Sequence, residues 1–171
     1  MRLVPMVERG EEPARAARER DLLVSWLDWH RATMVNRCEG LTAAQLGQRS
    51  CSPSELTLLG LVRHLTEIER NYFAAWAGIA DLPHYYSDAD PDGDFHLPDP
   101  VTDDAVRAAF DAWQAECDRS RRIVAEADSL DQANAKGTPL RWVLVYVLRE
   151  YVRHNGHADL LREAIDGATG E

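Results

Sequence analysis

The chain has 171 residues, 45% hydrophobic and 28% charged, with a net charge of -10 at pH 7. This is the composition of an ordinary folded chain, expected as one domain over residues 1–171 with a flexible segment at 1–14, and it excludes disorder. The acidic balance excludes a nucleic-acid partner and docking on an anionic membrane, since both need clustered Lys and Arg.

Residues from about Pro13 to Arg37 predict a first helix, because Leu23, Trp26, Leu27, His30 and Met34 recur at three and four residues on one face. Thr42 is placed to cap a short helical turn. Ser52 and Pro53 read as the cap and first turn of a second long helix reaching about Ala77. Its stripe is Leu61, Leu65, Ile68 and Tyr72, with His64 beside it, while Glu67 and Glu69 read as solvated flanks. Residues 81–100 hold four of the eight prolines and a Pro-Asp-Gly-Asp turn, which predicts a long loop of the kind that carries function.

Thr102 opens a third helix to about Ala127, with Val106, Phe110, Trp113 and Cys117 facing inward. Thr138 and Pro139 read as the start of the last helix, and Gly167 as its end. Leu140, Leu144, Val147, Tyr151, His154, Ala158 and Leu161 form its inner seam. The expected fold is all-α, an antiparallel four-helix bundle with a long loop between the second and third helices. No apolar run can span a bilayer, the first twenty residues have no apolar signal core, and the cysteines at 38, 51 and 117 contain no CxxC pair. Free thiols and a cytoplasmic location are the expectation.

The residues that bear on chemistry lie in the helix stripes. Glu150 and His154 are four apart on the last helix, and His157 completes one polar sector along two turns of an otherwise apolar face. A buried carboxylate is costly unless paired or metal-bound. Glu150 and His154 can supply two ligands to one ion and His64 a third, leaving the remaining position open as in a catalytic site. The alternative is ordinary hydrogen-bonded core histidines. His30, on the inner face of the first helix, is a candidate pocket residue. His84, Tyr85, Tyr86 and His96 could line a pocket mouth from the long loop or serve as surface anchors. The tryptophans at 26, 29, 76, 113 and 142 read as core or dimer contacts, and a homodimer is expected.

Four strings carry a resemblance: Ser25 to Thr33 (SWLDWHRAT), Gly40 to Leu46 (GLTAAQL), Leu56 to Phe73 (LTLLGLVRHLTEIERNYF) and Glu150 to Glu163 (EYVRHNGHADLLRE). They resemble the mini-circle-protein branch of the DinB-like superfamily, metal-binding four-helix bundles related to the mycothiol-dependent maleylpyruvate isomerase. The likeness covers about Leu22 to Glu163. It implies a divalent metal, zinc or nickel, on His64, Glu150 and His154, with Glu150 where the superfamily more often has His. It also implies a thiol S-transferase or thiol-dependent isomerase that uses a low-molecular-weight thiol such as mycothiol against a small electrophile. In that reading His157 and His30 orient or deprotonate the thiol, and Tyr85, Tyr86 and His96 contact it. The alternative is a non-catalytic bundle that binds a metal or small molecule in stress response.

Overall fold

Three helix starts in this chain are set by a threonine whose side chain takes up a free N–H group. The computed structural model describes residues 3–170, so Met1, Arg2 and Glu171, the ends of the expected domain, lie outside the described residues. Helix α1 spans Glu19–Cys38, later than the expected start at Pro13. No Ser, Thr, Asp or Asn precedes Pro13 to cap a first turn there. Thr42 caps α2, Ala43–Leu46, in a reciprocal capping box with Gln45.

Helix α3 spans Leu58–Glu69 and continues as a π turn over Arg70–Ala74. Its cap is Thr57, whose hydroxyl accepts from the Gly60 N–H, and not Ser52. Residues 51–54 instead close a turn through Ser54 N–H to the Cys51 carbonyl at 2.8 Å, which removes Pro53 from the helix. Helix α4 spans Asp103–Glu126 with Thr102 as cap, as expected. Helix α5 spans Leu140–Asp166 and ends at Gly167, whose φ of 78° is the left-handed conformation glycine adopts readily. Thr138 does not cap α5: the helix begins at Leu140 with Pro139 in the cap position and no side-chain cap, and the Thr138 carbonyl instead accepts from the Asn134 N–H at 3.0 Å and from Trp76 Nε1 at 2.9 Å.

Among the described residues there is no β-strand and no helix long and apolar enough to cross a membrane. Helix α1 packs chiefly on α5, and α3 packs on both α4 and α5. The inner stripes read from the sequence hold for α4 and α5: each of the eleven expected inward residues is buried. In α1, Leu27 and Met34 are buried, while Trp26 and His30 are only partly covered. Ahead of α1, Val4 is buried and Arg9 lies over the Trp29 ring at 4.5 Å.

Glu67 and Glu69 are the main correction. They are buried, at 2% and 1% exposure, because each meets a cation inside the protein. The Glu69 carboxylate accepts from Arg31 Nε at 2.9 Å and Nη2 at 2.7 Å, from Ser120 Oγ at 2.6 Å and from the Tyr151 hydroxyl at 2.9 Å. Trp113 Nε1 in turn donates to that hydroxyl. One carboxylate on α3 thus holds groups from α1, α4 and α5. Burial alone would lower the Arg31 pKa, but Glu69 and its neighbours raise it well above the usual range. Burial pushes Tyr151 up, so the phenol stays neutral and donates.

Glu67 anchors the long loop: it accepts from the Tyr85 backbone N–H at 2.7 Å and from Arg70, and it meets His84. Arg63 holds the same loop through the carbonyls of Gly93 and His96, both at 2.7 Å.

Removing one partner of a buried ion pair leaves the other charge uncompensated. Glu69→Ala is expected to lower the unfolding free energy by about 3–5 kcal/mol in urea denaturation. The apolar double substitution Arg31→Met with Glu69→Leu should cost less than Glu69→Ala alone. A Glu69→Ala variant as stable as wild type would show that the network is not what ties the helices together.

Candidate metal centre

His64 on α3 and Glu150 and His154 on α5 converge. One ligand atom from each lies within 4.8 Å of the others. Glu150 and His154 are buried at 6% and 7% exposure, and His64 is partly covered. The meeting follows from register: Tyr151, next to Glu150, is the residue hydrogen-bonded to Glu69, five residues beyond His64.

The donor set is arranged for a cation. His64 Nδ1 lies 2.7 Å from Asp94 Oδ2. A carboxylate only accepts, so His64 carries a proton on Nδ1, and in the neutral ring this leaves the Nε2 lone pair free. A carboxylate behind a histidine in this way is the usual support of a metal ligand. Glu150 Oε1 is taken by Arg149, which leaves Oε2 facing His154 Nε2 at 3.4 Å.

Burial, reinforced by His64 and His157, lowers the His154 pKa to about 3, so the ring is neutral near pH 7. Behind it, His154 Nδ1 lies 3.3 Å from His157 Nδ1. If His154 keeps its proton on that side, its Nε2 lone pair points at the Glu150 carboxylate. Two acceptors face to face repel unless a cation lies between them. The 3.4 Å separation matches neighbouring ligands at bond lengths of about 2.1 Å in tetrahedral geometry. These residues therefore fit a divalent ion.

The other expected site residues are placed differently. His157 touches His154 and extends the polar sector. His30 lies on the α1 side of α5, where Asn155 Nδ2 is 3.2 Å from its Nδ1. Tyr85 is covered by Arg63, whose guanidinium lies 4.4 Å from the ring centroid. Tyr86 donates to Asn71 at 3.1 Å, and His96 pairs with Asp90 on the surface. The loop reaches the triad instead through Asp94 and Phe95, whose ring stacks on His64 at 4.9 Å. Asp94 stands in the Pro-Asp-Gly-Asp turn visible in the sequence, but only its position beside His64 marks it.

Two of the three cysteines, Cys38 and Cys117, are buried thiols held in the protonated form. Burial raises the Cys38 pKa to about 12 and raises that of Cys117, next to Glu69, as well.

Aromatic rings continue from the triad along α5. Arg149 lies 4.4 Å over Tyr146, which stacks on Tyr72 at 4.1 Å and on Trp142 at 4.9 Å. A cleft of about 390 Å³ between α1 and α4 shares no residue with the triad.

No curated protein matches the chain. The family model for mycothiol S-transferase matches residues 22–167, in agreement with the DinB-like resemblance carried by residues 22–163. With the match covering most of its length, this chain belongs to the mycothiol S-transferase family.

Proposed function

We propose that the chain is a metal-dependent thiol S-transferase, with mycothiol as its thiol and with His64, Glu150 and His154 holding one divalent ion. The observation that carries this reading is the convergence of three ligand-type side chains from two helices, with Asp94 behind one of them. The family match supports the thiol. The fold we assign is an antiparallel four-helix bundle formed by α1, α3, α4 and α5, with the loop before α4 reaching the site through Asp94 and Phe95.

A bound divalent ion supplies one thing: it lowers the pKa of a thiol beside it, as it does for water. The protein groups do the rest. Asp94 fixes the His64 tautomer. Arg149 holds one Glu150 oxygen and turns the other toward His154. Burial keeps His154 neutral, as a ligand must be. His157 orients the His154 ring from behind and so serves as a positioning residue. In the overall transfer the thiol loses its proton to solvent. Its sulfur bonds to the electrophilic carbon, and the leaving group departs with the electron pair of the broken bond.

Metal content gives the first test. Purified protein reloaded with zinc or nickel should carry about one ion per chain, the number one three-ligand site holds. His64→Ala and His154→Ala should lose it, and Asp94→Ala should weaken it by about 10–100-fold. Full metal content in both histidine variants would remove them from the site.

Activity gives the second. Metal-loaded protein should conjugate mycothiol to a halobimane faster than the free thiol reacts. His154→Ala should fall to the background rate, and His157→Ala should slow the reaction while keeping its metal. A metal-replete protein with no rate above background would favour a non-catalytic binding role.

A further inference from the structure

Helices α1 and α4 face each other across the cleft of about 390 Å³. Two arginines cross it in opposite directions. Arg20 on α1 donates from Nη1 to the Val124 carbonyl on α4 at 3.0 Å, and Arg121 on α4 donates from Nε to Asp28 on α1 at 3.0 Å. These bridges hold the two helices apart at two levels, about two turns apart along α1. The interior between them is apolar. Val24 and Leu27 line it from α1 and Val124 from α4, with Phe73 of the π turn and Leu144 of α5 behind them. Leu27, Phe73 and Leu144 are buried. At the mouth stand two small, exposed residues, Ser25 and Ala125, where large side chains would close the opening.

One buried cation reaches this apolar space. Arg31 lines the cleft with its side chain only 3% exposed. A guanidinium carries five N–H donors. Nε and Nη2 each give one to Glu69, and Nη1 gives one to Asp28. Two N–H donors then have no acceptor among the described residues, and the cleft is where an acceptor can meet them. Leaving a buried donor unmet is costly, so an acceptor oxygen is favoured there.

The charges of the lining are already matched. Arg31 is met by Glu69 and Asp28, and Arg121 by Asp28 and Asp118. At the mouth, Arg20 and Asp21 are adjacent and opposite in sign. A charged ligand would upset this balance, whereas a neutral carbonyl oxygen would not.

We propose that this cleft binds an uncharged, mainly apolar small molecule, of the size of a substituted benzene, whose carbonyl-type oxygen accepts from Arg31. The cleft volume lies at the lower end of the range for ligand pockets, about 300–1,000 Å³. The site is separate from the triad and stands whether or not the chain transfers thiols. Its occupant touches the arginine that holds Glu69, and Glu69 in turn holds Tyr151 beside Glu150.

Acetophenone, α-methylstyrene and benzoate test this on the full chain, since they share a benzene ring and nearly one shape. In amide NMR titrations acetophenone should bind saturably, with the largest shifts at Val24, Ser25, Val124 and Ala125. α-Methylstyrene, which has C=CH₂ in place of C=O, should bind about tenfold more weakly, the loss of one hydrogen bond from a charged donor. Benzoate should also bind more weakly than acetophenone. Ala125→Trp, at an exposed position, should block the mouth and abolish binding while circular dichroism shows unchanged helicity. Val24→Phe should do the same from inside, and His154→Ala should bind acetophenone as wild type does.

Equal affinity for acetophenone and α-methylstyrene, or tighter binding of benzoate, would overturn the assignment of the ligand. Wild-type affinity in both Ala125→Trp and Val24→Phe, shifts centred on the triad, or no saturable binding at all would overturn the cleft itself.

Discussion

The carboxylate of Glu69 is the point on which the rest of the architecture depends. It lies in the middle of an apolar interior, where an unpaired charge would be prohibitive. The Arg31 guanidinium makes a two-point contact with it, while Ser120 and Tyr151 complete its coordination. Ion pairs of this kind add little net stability compared with a well-packed apolar substitute. Their effect here is on register. Apolar stripes can slide past one another by a turn at modest cost, whereas four directional hydrogen bonds to one carboxylate cannot.

That register carries directly to the candidate metal centre. Tyr151 reaches Glu69, so the adjacent Glu150 and the next turn's His154 face the segment of α3 that bears His64. The same helix pair therefore has a closed polar contact on one side and an open donor set on the other. The pairing of Glu150 with Arg149 and of His64 with Asp94 leaves inward the atoms able to bind an ion. The candidate ligands are oriented by their neighbours, which restrains their side-chain freedom.

The long loop serves the site differently from its composition. Its aromatic residues suggest a lid, but Tyr85 is under Arg63 and Tyr86 is tied to Asn71. Glu67 and Arg63 secure the loop backbone, and that anchorage delivers Asp94 to His64. Of the loop's rings only Phe95 reaches the candidate site, where it stacks on His64. Aromatic residues on an anchored loop are spent on holding it, while those on a helix edge keep an open face.

Much of this was legible in the sequence. The period of α4 and α5 marked their inner faces, because a helix that buries one side must repeat its apolar residues at its own pitch. Glycine at position 167, Thr102 and Thr42 marked ends that local backbone chemistry dictates. Ligand-type residues at 64, 150 and 154 stood out because polar side chains on an apolar stripe need a reason. The tertiary structure decided what no local period encodes. Glu69 could be buried only because Arg31, far away in the chain, arrives beside it. Asp94 became a support for His64 only once Arg63 and Glu67 had fixed the loop. Trp142 stayed at a cleft edge and not in the core because it lies on the outer face of α5, opposite the buried Leu140, Val143 and Leu144. Each depends on which distant groups meet, and charge pairing and loop anchorage settle that only when the helices have come together.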